Sequence, residues 1–100
     1  MTQFSPEVDC LIFISFGKFR EKPTSETSSK ATKLLEDARK RGIKILGLYW
    51  TLGRYDTVLI FEALNEKEAM RFRLEAAGIV ATETMVAIPK DEAAKLLERK

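Results

Sequence analysis

The chain contains no histidine and one cysteine, Cys10, which removes most of the side-chain chemistry that small proteins use. Ser–His and Cys–His nucleophilic catalysis are excluded. The usual general base at neutral pH and the commonest metal ligand are missing with the imidazole. A lone cysteine forms neither an intrachain disulfide nor a multi-cysteine metal site. With no base beside it, Cys10 reads as an inert thiol at the start of a buried strand. What remains is carboxylates, phenols and cations. Asp56 and Tyr55, an acid and a phenol, stand next to Arg54, and Lys18 is the cation that a sheet fold would bring to the same end. Such a set suits acid–base work or anion binding at a pocket mouth. Its structural alternative is that Asp56 hydrogen-bonds the hairpin backbone or pairs with Lys18 while Tyr55 packs at an oligomer interface. Trp50 and Tyr49 either line a ligand or belong to a core or interface. Glu83 is an acid on a strand whose neighbours Ala81 and Met85 look covered; a partner's cation or a ligand satisfies it. Asp56 and Glu62 do not form a catalytic carboxylate pair, because six strand residues at ~3.3 Å each separate them by about 20 Å.

These residues need elements to position them. Strand one is read over Asp9 to Phe19, apolar on both sides and therefore central. A helix from about Ser28 to Arg41 carries one stripe at Ala31, Leu34, Leu35 and Ala38, with Gly42 beyond its end. Strands two (Ile43 to Leu52) and three (Tyr55 to Leu64) flank Gly53-Arg54, which reads as a tight two-residue hairpin. A second helix over Glu66 to Ala77 has Asn65 as its N-cap and Glu68 where a capping-box acid belongs. Strand four is Ile79 to Ile88, and Pro89 opens a short last helix with Ala93, Leu96 and Leu97 on one side.

The order β-α-β-β-α-β with right-handed crossovers predicts an α+β, ferredoxin-like antiparallel sheet in spatial order 4-1-3-2, with two helices on one face and a C-terminal helix. If Leu59 and Phe61 face the helices, then Phe13, Val58, Ile60 and Met85 fall on the bare face. An apolar patch above about 300–600 Å² is seldom left wet, so a second copy is the expected cover.

The run Tyr49-Trp50-Thr51-Leu52-Gly53-Arg54-Tyr55-Asp56 resembles the signature of the GYD-domain family, with Gly53, Tyr55 and Asp56 as the defining three. Glu62-Ala63, Asn65-Glu66 and Thr82-Glu83-Thr84-Met85 fit the same pattern, and the resemblance covers roughly Lys33 to Ile88. The segment from Arg20 to Ser29 fits none of it. The resemblance implies a dimeric α/β-barrel fold and no established activity, and the length of 100 residues reads as one domain over 1–100.

Composition narrows the function classes. Apolar residues make up 45% and charged residues 32%, a folding composition, and the net charge of +2 is too even to imply nucleic acid. Ile12-Phe13-Ile14-Ser15 looks a little like strand one of RNA-recognition modules, yet Thr57-Val58-Leu59-Ile60 stands where their stacking aromatics belong. The longest apolar run, Leu11 to Ile14, is far too short for a bilayer, and Met1-Thr2-Gln3-Phe4 lacks a signal-peptide pattern, so the chain reads as cytoplasmic. Few amides with many Lys, Arg and Glu point to a thermophile. The expected function is a non-catalytic, small-ligand-binding or regulatory homo-oligomer, a dimer or a dimer-based assembly. Lys18, Trp50, Arg54, Tyr55, Asp56 and Glu83 are its candidate ligand residues; Phe13, Val58, Ile60 and Met85 are its interface; no metal is implied and no cofactor is identified. The alternative is a small cofactor-independent enzyme with Asp56, Tyr55 and Glu83 as acid–base groups.

Overall fold

A computed structural model of the chain describes residues 10–98. Its elements are β1 (Leu11–Phe19), α1 (Ser25–Lys40), β2 (Lys44–Trp50), β3 (Thr57–Ala63), α2 (Glu66–Ala76), β4 (Val80–Ala87) and α3 (Lys90–Lys95), which runs into a 3-10 turn at Leu96–Glu98. All strand pairs are antiparallel, and the sheet runs β2-β3-β1-β4. Counted from the opposite edge, that is the order 4-1-3-2. The expected start of strand one at Asp9 lies outside the described residues.

Helix α1 begins three residues before its apolar stripe suggests. Thr24 caps it: its side chain accepts from the Thr27 backbone N–H, and the Thr27 hydroxyl accepts in return from the Thr24 N–H. A hydroxyl thus does the work of the acid in a capping box. The helix ends in a Schellman arrangement, with Ile43 N–H bonded to the Ala38 carbonyl and Gly42 N–H to that of Arg39. Gly42 takes the left-handed φ of 98° that this ending requires. Asn65 caps α2 through the Glu68 N–H. Glu68 contributes only that backbone donor, because its side chain returns no bond to the cap among the described residues.

The connection between β2 and β3 is not a two-residue hairpin. The last pair of that ladder is Trp50 with Thr57, leaving residues 51–56 as the loop. The chain leaves β2 early because Asp56 turns to β1 instead: its N–H donates to the Gly17 carbonyl. Thr51 closes the loop with its N–H on the Asp56 carbonyl and its hydroxyl on that of Tyr55. Within β2 a bulge between Ile45 and Gly47 shifts the alternation. Ile45, Leu48 and Trp50 therefore share the helix side, and Tyr49 faces the other way.

Register fixes the two faces of the sheet. Phe13 lies opposite Phe61, and the two rings stack at 5.3 Å. Both are buried, and Phe61 meets Phe72 of α2 edge-on at 5.1 Å. Phe13 is therefore core under the helices and does not belong to the bare face, where the expected pattern puts it. The helix-free face carries Ile12, Ile14 and Phe16 of β1, Val58 and Ile60 of β3, and Glu83 and Met85 of β4. Most of these are half-buried, and Met85 is largely exposed.

The helix-covered layer has a solid half and a hollow half. Phe13, Phe61 and Phe72 pack with Ala38, Ile43, Ala63 and Ala69 around the start of β1. Toward the end of β1 the helix-facing positions become small or hydroxyl-bearing: Ser15 and Gly17, Thr57 opposite Gly17, and Thr82 and Thr84 on β4. Side chains of that size do not fill the space beneath two helices.

Candidate functional site

The loop of residues 51–56, the end of β1 and the middle of β4 meet at one end of the sheet, as the topology requires. Lys18 donates from Nζ to the Arg54 carbonyl at 2.8 Å. It does not pair with Asp56. The Asp56 carboxylate instead accepts from the Phe19 backbone N–H at 2.8 Å. With its own N–H on the Gly17 carbonyl, Asp56 extends the β1 ladder by one residue on both its backbone and its side chain. Tyr55 lies over Phe16, ring centroids 5.0 Å apart, and donates from its phenol to Glu83 Oε1 at 2.8 Å. That carboxylate raises the Tyr55 pKa above the ordinary 10.0, first through the hydrogen bond, then through desolvation and the Glu83 charge, with Arg54 opposing. Tyr55 and Glu83 thus satisfy each other on the helix-free face.

Trp50 goes the other way. The bulge in β2 turns it to the helix side, where its ring meets Phe19 edge-on at 5.1 Å. There it lines a cavity of about 100 Å³ between the sheet and the two helices. The structure therefore divides the six candidate ligand residues. Lys18, Arg54, Tyr55, Asp56 and Glu83 hold the loop and the helix-free face, and Trp50 alone borders the hollow.

The floor of this cavity is the hydroxyl patch of the sheet. Ser15, Thr57, Thr82 and Thr84 all line it. Ser15 and Thr84 bond to each other at 2.9 Å. The hydroxyls of Thr57 and Thr82 have no side-chain partner among the described residues, so each keeps its capacity to donate and accept. Phe19, Leu34, Leu59, Phe61 and Phe72 give the walls their apolar character, and among the described residues Arg73, from the last turn of α2, is the sole charged member of the lining. Trp50, 60% exposed, stands at the rim. No carboxylate of the described residues lines the hollow, so Asp56 and Glu83 are not placed to act on anything bound there.

Reasoning from the sequence missed Thr57, Thr82, Thr84 and Arg73. A signal was present in β4, where Val80, Thr82, Thr84 and Val86 occupy one face at period two. Two hydroxyls in the middle of a face that packs under helices replace the methyls a core would hold.

The model of the GYD domain matches residues 13–97, a stretch that includes the 20–29 segment. No curated protein matches the sequence. Among solved structures, LrpC of Bacillus subtilis superposes with a TM-score of 0.68 at 13% identity, covering 90% of this chain and 60% of that one. A transcriptional regulator of Neisseria meningitidis, in complex with L-methionine, gives 0.61 at 16% identity over 90% of this chain and 58% of its own. A hypothetical protein of Pyrococcus horikoshii gives 0.54 at 20% identity, over 80% and 92%. The chain spans about three fifths of the length of LrpC and of the Neisseria regulator. At these identities the likeness is one of fold.

Proposed function

The chain belongs to the GYD domain family, and from that premise we propose that it is a homodimeric sensing domain that binds a small molecule in the cavity under its helices. The observation that carries the reading is the hollow itself: an apolar chamber with a hydroxyl floor, roofed by α1 and α2. A chamber with apolar walls and a few convergent polar groups is the usual form of a small-molecule site. Catalysis is disfavoured, because the acids Asp56 and Glu83 are engaged outside the chamber, with the β1 backbone and with Tyr55. A methionine complex of a regulator with this fold supports the ligand-binding reading.

Dimerisation is the second part of the proposal. Ile12, Ile14, Phe16, Val58, Ile60 and Met85 form one contiguous apolar surface on the helix-free side. Contiguous apolar surface on one side of a sheet is a usual mark of a protein–protein contact. A second copy is the cover we assign. The patch lies at the centre of the sheet, and Glu83 and Lys18 on it bring opposite charges to a surface that would face itself across a two-fold axis.

The test is methyl NMR of the threonines during a screen of fragments with fewer than about ten non-hydrogen atoms. Shifts confined to the lining threonines Thr27, Thr57, Thr82 and Thr84, with the Trp50 indole, are expected. A screen in which no fragment moves these signals rejects the chamber as a binding site.

A further inference from the structure

The charge and size of the chamber narrow what it takes. Arg73 is half-buried on the last turn of α2 and is the only charged side chain in the lining among the described residues. No ion pair engages it among those residues. The nearest acid on α2, Glu75, is taken up by Arg41 and Arg71 instead. Among the described residues neither this guanidinium nor the chamber lining has a carboxylate, a setting that favours an anion and repels a cation. The apolar volume sets the rest. A cavity of about 150 Å³ is known to enclose benzene, so 100 Å³ encloses an alkyl group of about four carbons. The rim at Trp50 is open, which leaves room for a polar head beyond the alkyl group.

We propose that the chamber binds a short aliphatic monocarboxylate, with its alkyl group among Leu34, Leu59 and Phe72 and its carboxylate paired with Arg73. The assignment rests on the reading of the hollow as a ligand site. It adds the anion and the chain length. Floor hydroxyls accept either a carboxylate oxygen or water, so they do not select charge by themselves. Arg73 does.

Trp50 is the only tryptophan in the chain, and its place on the rim makes its fluorescence the readout. The probes are isovalerate, 3-methylbutan-1-ol and 3-methylbutylamine, which share one alkyl group and differ in the charge of the head. Titrations of the full chain at constant ionic strength are expected to give saturable changes for isovalerate, at least tenfold weaker binding for the alcohol and none for the amine. Arg73→Gln should remove the preference of acid over alcohol, and Arg73→Lys should keep most of it. Circular dichroism of both variants confirms that the fold is retained. If the alcohol binds as tightly as isovalerate, or Arg73→Gln leaves isovalerate binding unchanged, the anion assignment is wrong while the chamber remains a ligand site. If none of the three probes binds, the anion assignment falls; if in addition the threonine methyls respond to no fragment, the ligand-site reading falls with it.

Discussion

Gly17 offers a quantitative test of the hollow's floor. It lies near the end of β1, opposite Thr57, and a Cβ built on it would sit 2.5 Å from the Thr57 hydroxyl oxygen, with Val80 and Thr82 at ordinary contact distance. Alanine in a strand interior normally stabilises relative to glycine by about 0.5–1 kcal/mol. Here that gain is opposed by a steric conflict of the kind that costs about 1–3 kcal/mol. The expected net effect of Gly17→Ala is a destabilisation of about 1–2 kcal/mol, or roughly 5–15 °C in midpoint for a chain of this size. The conflict is specific to one oxygen atom, so it is separable. In a Thr57→Ala background the same Gly17→Ala change should be neutral or stabilising, and in Thr57→Ser, which keeps the oxygen, it should still be harmful. Thermal denaturation of the six proteins at one fixed concentration gives the coupling directly. Equal cost of Gly17→Ala with Thr57 intact and in the Thr57→Ala background would mean that the methyl does not meet this hydroxyl, and the packing of the floor would be wrong.

Three further outcomes follow from the same geometry. In a Tyr49→Phe protein, which leaves Tyr55 as the only tyrosine, ultraviolet titration should show half-ionisation above pH 10.0, and Glu83→Gln should bring it back toward that value; because the folded phenol is the raised one, the stability it contributes is complete below pH 10 and disappears as pH rises through the folded value. Asp56→Ala removes the acceptor for the Phe19 N–H and should cost about 1–2 kcal/mol in urea denaturation, with Asp56→Asn costing less, because a charge-assisted bond to a half-buried donor is lost in one and a neutral acceptor remains in the other. Asn65→Ala uncaps α2 and should cost about 1 kcal/mol, whereas Glu68→Ala, whose side chain returns no bond to the cap, should be nearly silent in the same assay.

The sequence carried the element order plainly, because alternating and helical apolar spacings are local signals. Register is not local. Both faces of β1 and β3 are apolar, so either pairing parity satisfies the pattern, and a shift of one residue exchanges the faces. Phe13 falls on the wrong face in the sequence pattern for that reason. The bulge at Leu46 had a sequence mark in Gly47, where a side chain would meet the ring of Tyr49 at 3.0 Å, and missing it hid the turn of Trp50 toward the helices. The loop after β2 looked like a tight turn because Gly53 does take a positive φ, 112°. What the glycine could not reveal was that Asp56 prefers the free end of β1 to a longer hairpin. The meeting of Lys18, Arg54, Asp56 and Glu83 at one end was legible from topology alone. The hollow was not, because threonine on a strand is ordinary until three strands are seen to place their hydroxyls side by side.

The most direct measurement is the mass of the full chain in solution by light scattering at low micromolar concentration. If the two sides of the sheet are covered as argued, one by α1 and α2 and the other by a second copy, the mass is twice 11.4 kDa or a multiple of that pair, and Ile60→Lys, at the centre of the helix-free side, reduces it to a folded single chain. A wild-type mass of 11.4 kDa at that concentration contradicts the account.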